Sequence, residues 1–304
     1  MQLKKSTNPV FNLLVKLKLI SKNKMKFYYP RTRDNKSLAT YIHTDDNSLF
    51  LERFSRKFAE EFYAFKNYKN DVINDIKINN KTITLNKYFD DNERRYHQFK
   101  KYLINKDILD FGCGYGDFLS LIKKNNVSKS ITGIEIRKDC IKKLNKLKIK
   151  NIKSLNDNDI KFDVIFLFHV IEHLPNPIVI LKQLKKKLKK NGILIIETPS
   201  CNDFLLKFEN LKNFKDFILW SEHIVLFSKK LLNNVLSFSG FKKNNVVNYQ
   251  RYGLNNHLGW LSNESPGYEK QFNMFINKKI DQKYVNFLKK NDLTDTIISI
   301  SKNI

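Results

Sequence analysis

The feature that most constrains the fold of this chain is one bend that holds three of the nine glycines in its 304 residues. Residues 108–119 read ILDFGCGYGDFL, an apolar run followed by alternating glycines and the start of an amphipathic pattern. Glycine permits a tight turn with positive φ and lets a ligand approach the backbone. Because the first N–H groups of a helix have no intrahelical partners, a strand, bend and helix in this order predict a cofactor-binding turn.

The segment around this bend predicts an α/β fold. From about residue 106 to 250, short apolar runs alternate with amphipathic segments, which is typical of parallel strands joined by helices. We predict a Rossmann-like, doubly wound, mostly parallel seven-stranded sheet with helices on both faces. The predicted strands are 108–111, 130–135, 151–154, 162–168, 193–197, 243–249 and a late strand at 296–301. The predicted helices are 117–124, 138–146, 178–190 and 229–239.

Composition shifts along the chain predict three regions. Residues 1–95 are rich in Phe, Tyr, Lys and Asn, with a helical pattern at 51–66, and are predicted to form a partly helical cover. Residues 96–250 form the predicted core. Residues 251–304 are a predicted C-terminal extension, with an acceptor-side loop, a helical pattern at 268–290 and the last strand of the sheet.

The net charge of +26 raises the question of a nucleic-acid partner. Of the 56 basic residues, 48 are Lys and only 8 are Arg, whereas nucleic-acid sites favour the bidentate guanidinium. The densest basic run, KQLKKKLKK at 182–190, has leucines at helical spacing, so its lysines are predicted to lie on the solvent-exposed face of an amphipathic helix. Nucleic acid is therefore not the expected partner.

Cysteine usage and hydropathy indicate where the chain resides. Cys113, Cys140 and Cys201 form no C-x-x-C pair, so neither a disulfide framework nor a cysteine-rich zinc site is expected. No stretch approaches the roughly 18 consecutive apolar residues of a membrane helix. We therefore expect no membrane span and a cytoplasmic location.

The strand after the bend adds a second signal. It ends in GIEIR, which places Glu135 at its tip, where a carboxylate can accept hydrogen bonds from ribose hydroxyls. A dinucleotide-binding loop favours G-x-G-x-x-G, whereas this loop reads G-x-G-x-G with Asp110 two positions before Gly112. ILDFGCGYG thus resembles the first motif of the class I S-adenosylmethionine (SAM)-dependent methyltransferases, which reads LD-x-G-C-G-x-G.

Further motifs of that family follow in order. FDVIFLFHVIEHLPNP at 162–177 resembles its fourth-strand motif, in the H-x-x-E-H-x-x-x-P form of its small-molecule and sugar-modifying branches. KKNGILIIETPS at 189–200 and WSEHIVLFSKKLLNNVLSFSGF at 220–241 resemble the segments that follow. DDNERRYHQF and QRYGLNNHLGWL resemble a bacterial subgroup associated with surface-polysaccharide gene sets. The resemblance implies SAM as cofactor and a small hydroxylated acceptor, a sugar or nucleotide-sugar, methylated on oxygen.

The resemblance also implies roles for individual residues. Glu135 would hold the ribose with Ile136 beside it, and Asn156 or Asp157 would bond the adenine amino group. Phe168 and His169, at the tip of the fourth strand, would face the cofactor from the other side. The residues expected to hold its methionine part are Asp110, Gly112, Cys113, Gly114 and Gly116.

Methyl transfer to a hydroxyl uses a base that removes the proton, and a histidine suits this role. The candidates are His169, His173, Glu222 and His223, of which His223 is the predicted base and Glu222 orients it or binds the acceptor. His173 is assigned a structural role. The H-x-x-E-H spacing is also that of a zinc motif on a helix, but His169 ends a strand, so no metal is expected.

Several alternatives stay open on the sequence alone. Tyr249, Tyr252, His257 and Trp260 form either an acceptor wall or core packing. The charge motivates an RNA or protein methyltransferase, although the fourth strand carries LFHVIEH and not the N/D-P-P-Y form of base- and amide-methylating enzymes. A non-catalytic SAM-binding module and an NAD-dependent enzyme are the other two readings.

Overall fold

A computed structural model describes residues 6–54, 75–78, 81–84, 91–156 and 160–304. Asp157 and most of the predicted helix at 51–66 lie outside these residues. In chain order, the described α-helices are α1 Pro9–Lys16, α2 Asp91–Phe99, α3 Asp117–Lys124, α4 Lys138–Lys146, α5 Pro177–Lys187, α6 Lys212–Ile218, α7 Lys229–Phe238, α8 Leu254–Asn263 and α9 Lys278–Lys290.

The described strands divide among a central sheet, an N-terminal sheet and a two-stranded antiparallel sheet. In chain order they are β1 Met25–Tyr29, β2 Thr40–His43, β3 Leu49–Leu51, β4 Asp75–Ile78, β5 Lys81–Thr84, β6 Asp107–Phe111, β7 Ser130–Ile134, β8 Lys150–Asn151, β9 Phe162–Phe168, β10 Leu188–Pro199, β11 Val225–Leu226, β12 Lys243–Tyr249 and β13 Thr296–Lys302.

The central sheet has seven strands in the order β12-β13-β10-β9-β6-β7-β8. The run from β10 to β8 is parallel, and β13 pairs antiparallel with both β10 and β12. The predicted α/β sheet, including its late strand, is confirmed. Because the strand order reverses between β6 and β9, the carboxyl ends of these two strands flank the crevice where such sheets bind ligands.

Alternate side chains of β9 face two cores, as expected for a strand covered on both sides. Ile165 and Leu167 pack with leucines of α5 and α7 on one face. Val164 and Phe166 pack on the other face with Phe118 of α3 and residues of α2 and α4. This doubly covered sheet fixes the tips of β6, β7, β9 and β10 at one edge.

The described part of the N-terminal region contains a sheet that sequence analysis did not predict. α1 is present, but the main described element is a four-stranded antiparallel sheet in the order β1-β2-β3-β11. Its last member comes from the core, where Val225 pairs with Phe50. The pairing of β1 with β2 has a register irregularity between Phe27 and Tyr29.

Several predicted elements have different bounds, and β10 begins five residues earlier than predicted. Helix α5 ends at Lys187, and Lys189 belongs to β10, where its Nζ pairs with Asp107 at 2.6 Å and Asp163 at 2.8 Å. The predicted strand at 151–154 is limited to Lys150–Asn151. The predicted acceptor-side loop contains α8, and the helical pattern at 268–290 consists of a short 3-10 turn and α9.

Candidate active site

The glycine bend lies between β6 and α3, and all three glycines have positive φ, between +53° and +78°. A Cβ on Gly112 would lie 2.5 Å from Cγ2 of Val170, so the bend packs directly against the segment that follows β9. A Cβ on Gly114 would meet nothing within 4 Å. The side of the loop at Gly114 is therefore open to a ligand, whereas Gly112 is closed by packing.

Glu135, just beyond β7, is oriented toward this loop. Its Oε2 accepts a hydrogen bond from the Gly114 N–H at 2.9 Å, and its Oε1 accepts from the N–H groups of Ile136 at 2.7 Å and Arg137 at 2.9 Å. The side chain of Ile136 is 65% exposed beside it. A carboxylate next to an open glycine turn and an exposed apolar side chain fit a ribose and a flat base.

Asp110 and Cys113 are both packed within the protein. Asp110 is buried, and burial raises its pKa to about 7 although Arg95 opposes the shift. The Sγ of Cys113 would lie 2.5 Å from a Cβ on Gly133, so the thiol packs against β7. The Cys113 N–H also donates to the Ile134 carbonyl at 3.1 Å, so the residue anchors the loop to the neighbouring strand.

The other residues assigned to the cofactor lie in two places. The Phe168 ring, at the end of β9, stacks on Phe99 with centroids 5.9 Å apart and has the Arg95 guanidinium 4.4 Å from its centroid. Asn156 is exposed beyond β8, and its N–H donates to Ser154 Oγ at 3.2 Å. Asp157 lies outside the described residues, and the adenine assignment stays a prediction.

His169 lies between two buried carboxylates at the tips of β9 and β10. Its Nδ1 is 3.5 Å from Glu172 Oε1 and its Nε2 is 3.4 Å from Glu197 Oε1. Burial opposes protonation, but the two carboxylates prevail and raise the pKa of His169. Both ring nitrogens already face protein carboxylates, which favours a role in bridging the two strand tips.

Glu197 is the centre of an ionic network that sequence analysis missed. It is fully buried, and Arg94 and Arg95 of α2 donate to it at 2.8 Å and 2.6 Å. Although burial favours the neutral acid, His169 and the guanidinium groups hold the pKa of Glu197 well below its usual range. Asp91 extends the network by accepting from Arg94 at 3.0 Å and from Arg251. The signal available in the sequence was the arginine pair in DDNERRYHQF, in a chain with few arginines.

Glu172 is the second fully buried carboxylate at this edge. Its Oε2 accepts a hydrogen bond from Thr198 at 2.9 Å, and its Oε1 lies 3.9 Å from His173 Nε2. Burial would raise its pKa, but His169 and the neighbouring His173 lower it to about 2. Glu172 is therefore ionised at neutral pH.

The loop at 220–223 brings His223 to the same place. The His173 and His223 rings have centroids 5.1 Å apart, and the Ile224 N–H donates to the Glu172 carbonyl at 2.9 Å. Burial, and next the neighbouring His173, lower the pKa of His223 to about 3. His223 is thus neutral and weakly basic at neutral pH, and this environment does not favour its predicted role as the base. Glu222 is buried beside it, and its carbonyl contacts His173 Nδ1 at 2.9 Å.

The four aromatic residues assigned to an acceptor wall or to packing occupy separate environments. Trp260 is buried and packs against Phe214. His257 is also buried, and its Nδ1 lies 2.7 Å from Tyr284 Oη. The Cζ atom of Arg94 lies 4.8 Å from the centroid of the Tyr249 ring, and the Cζ atom of Arg251 lies 5.1 Å from the centroid of the Tyr252 ring. His257 and Trp260 therefore serve core packing.

Comparison with known proteins places the chain in a family. A family model described as a methyltransferase domain matches residues 85–246, more than half of the chain. This match, the seven-stranded sheet and the glycine loop identify the class as the class I SAM-dependent methyltransferases, with SAM as the cofactor of the family. The chain belongs to the methyltransferase-domain family, and the predicted enzyme class and cofactor are confirmed at that level.

Curated relatives differ in what their names say. The chain is 36% identical over 106 residues to a tRNA U34 carboxymethyltransferase from Nautilia profundicola, an alignment that covers 32% of this chain and 35% of that protein. It is 32% identical over 196 residues to a ubiquinone biosynthesis O-methyltransferase from Pelagibacter ubique, an alignment that covers 59% of this chain and 72% of that protein. The chain thus spans only about a third of the length of the tRNA-modifying relative. These relatives support neither the predicted sugar subgroup nor the expectation against nucleic acid.

Among solved structures, the chain is similar to a SAM-dependent methyltransferase from Archaeoglobus fulgidus. The identity is 20%, the TM-score is 0.49, and the match covers 69% of this chain and 92% of the other. Separately, among the described residues, none of the helices is long and apolar enough to cross a membrane.

Proposed function

We propose that this chain transfers a methyl group from SAM to a hydroxyl oxygen of a small acceptor. The observation that carries the proposal is the glycine loop, which is open at Gly114 and bordered by Glu135 and the exposed Ile136. SAM supplies an electrophilic methyl group on its sulfonium when bound. The carboxylate of Glu135 would accept from the ribose hydroxyls, and the free N–H groups at the start of α3 would face the anionic end of the cofactor.

The acceptor side of the proposal rests on the cluster at the tips of β9 and β10 and on the loop at 220–223. Buried Glu172, half-buried His173 and His223, and buried Glu222 form a polar cluster that follows Val170, the residue packed on Gly112. Such a cluster would hold a polar group of the acceptor at a fixed distance from the cofactor. The ubiquinone biosynthesis O-methyltransferase, the relative of which the chain covers 72%, supports oxygen as the methylated atom.

An RNA acceptor is the second candidate. The net charge of +26 and the tRNA U34 carboxymethyltransferase among the relatives favour it. A sugar or nucleotide-sugar, predicted from sequence motifs, stays within the class of small hydroxylated acceptors.

The test is transfer of label from methyl-labelled SAM to a panel of phenols, nucleotide sugars, glycan fragments and total tRNA. Label in a small hydroxylated compound is expected, and it should be lost when that hydroxyl is removed. Label only in tRNA would replace the proposal by its second candidate.

Glu135→Ala should weaken SAM binding by about 1–3 kcal/mol, because a charge-assisted contact is lost. Glu93→Ala, which removes a carboxylate that is 57% exposed on α2, is the matched control and should bind SAM normally.

A further inference from the structure

One group of side chains at this edge has the composition and arrangement of a metal site. Glu172, His173 and His223 each offer a ligand atom, and these atoms lie within 4.8 Å of one another. Two imidazoles and one carboxylate are the ligands of catalytic zinc sites and of facial sites for other divalent ions. Atoms bound at about 2.1 Å from one ion are at most about 4.2 Å apart, so a movement of roughly half an ångström would close the group around it.

The hydrogen bonds of the two histidines prepare them as ligands. His173 Nδ1 contacts the Glu222 carbonyl at 2.9 Å, and His223 Nδ1 contacts the Ile218 carbonyl at 3.1 Å. A carbonyl oxygen only accepts, so each Nδ1 carries a proton, and in the neutral form of each ring Nε2 then keeps its lone pair. A backbone carbonyl on the second nitrogen is the usual partner that orients a metal-binding histidine.

The carboxylate provides an independent observation. Glu172 is fully buried, and its Oε1 makes no hydrogen bond within the part of the chain that the structure describes. It has only longer ionic contacts, 3.5 Å to His169 Nδ1 and 3.9 Å to His173 Nε2. A buried anionic oxygen without a donor costs free energy, and a cation at this point would compensate for it.

The backbone holds the three residues in place. His173 ends the short turn Ile171–His173, and the Ile224 N–H of the neighbouring segment donates to the Glu172 carbonyl at 2.9 Å. This contact and the His173–Glu222 contact join the two segments directly. The His173 side chain is 18% exposed, which leaves a route from solvent to the group.

From this geometry we propose that Glu172, His173 and His223 form a divalent cation site, and that its open coordination positions take the hydroxyl oxygen of the acceptor. The second half rests on the proposed function. A hydroxyl bound to the cation releases its proton to solvent water more readily. Its oxygen then attacks the methyl carbon as the carbon–sulfur bond breaks, and S-adenosylhomocysteine leaves. The cation would thus take over the task assigned to His223 as base.

The binding test uses the whole chain, dialysed against a chelator and titrated with Co²⁺, whose visible absorption reports nitrogen and oxygen coordination. One ion per chain is expected, with Zn²⁺ displacing it. His173→Ala and His223→Ala should each weaken Co²⁺ binding at least about tenfold, because one of three ligands is lost. His97→Ala removes a histidine that is 69% exposed on α2 and should leave binding unchanged. SAM affinity measured by calorimetry shows that each variant is folded.

Binding that is absent, or that is equal in His173→Ala, His223→Ala and the unmodified chain, would overturn the cation site. Glu172→Gln adds a third variant that keeps the shape of the side chain while removing its charge. Failure of the proposed function alone would appear as Co²⁺ binding without methyl transfer to any acceptor. Failure of the inference alone would appear as full methyl transfer by a chain that binds no Co²⁺.

Discussion

At the scale of single residues, two glycines of the loop, Gly112 and Gly114, have separable roles. Gly112→Ala should lower the free energy of unfolding by about 2–4 kcal/mol, since it combines positive φ with a Cβ 2.5 Å from Val170. Gly114→Ala has only the backbone strain and should cost about 1 kcal/mol, while its methyl group enters the open side and weakens SAM binding. Urea denaturation and calorimetry measure the two effects. Equal stability losses in both variants would contradict the assignment.

The positions of the residues around the glycine loop could be predicted from the sequence, because the motif that marks them occupies adjacent positions. Asp110 lies in β6, the glycines lie in the bend that follows, and Glu135 just beyond β7 contacts Gly114. Their roles in binding the cofactor stay predictions. Glu197 could not be assigned in this way, because its arginine partners lie about a hundred positions earlier. The same holds for His223, which was assigned as a base from its loop. Its burial and its distance to His173 follow only from the tertiary fold.

At the scale of elements, Glu197 fixes α2 to the sheet through a pH-dependent contact. Its folded-state pKa is depressed, so the stabilisation is fully present above the unfolded pKa of about 4.3 and is lost progressively as the pH falls from there through the folded-state pKa. Glu197→Gln should cost about 3–5 kcal/mol at pH 7, because two arginines lose their buried partner.

The difference in stability between Glu197→Gln and the unmodified chain should shrink as the pH falls toward 3. Below about 4.3 the unfolded chain binds a proton at Glu197 that the folded chain does not, and this lowers the stability of the unmodified chain. Denaturant unfolding across this range measures it. Glu93→Gln on the exposed side of α2 serves as the control and should show a small difference that stays constant with pH. A Glu197→Gln difference that stays constant would show that the carboxylate is not held ionised by the network.

A second contact between elements fastens the loop at 220–223 to the N-terminal region. Asp34 accepts hydrogen bonds from the Ser221 N–H at 3.1 Å and from its hydroxyl, and the Arg33 guanidinium lies 4.5 Å from the Trp220 ring centroid. Asp34→Ala should speed hydrogen exchange of the Ser221 amide about fivefold or more, since the lost contacts stabilise by roughly 1 kcal/mol. Turnover should fall while SAM affinity stays the same. Asp45→Ala, in the turn between β2 and β3, is the control.

The strands of the N-terminal sheet show why elements that pair over long distances escape sequence analysis. β1, β2 and β3 have only three to five residues each, which is too short for a clear alternation. β3 pairs with β11, whose residues lie more than 170 positions later in the sequence. The strands of the central sheet are longer or follow each other through helices, and their pattern sufficed.

At the scale of the whole molecule, the predicted boundary between 250 and 251 divides a unit that the structure keeps together. β13 lies between β10 and β12 and pairs along its full length with both. Its Ile297 and Ile298 are buried, as are Thr296, Ser299 and Ser301. Without β13, β12 loses its described sheet partner and β10 becomes an open edge.

Removing residues 293–304 should therefore abolish cooperative folding. Two buried isoleucines alone contribute about 3–6 kcal/mol, and the pairing lost on both sides adds to this, against a total stability of roughly 5–15 kcal/mol for a typical domain. Circular dichroism during urea unfolding measures the loss. Deleting only Ile304, which is 57% exposed, should leave the transition in place. A shortened chain that still unfolds cooperatively and binds SAM would show that the core folds without β13, because β10 and β12 would then have found another arrangement.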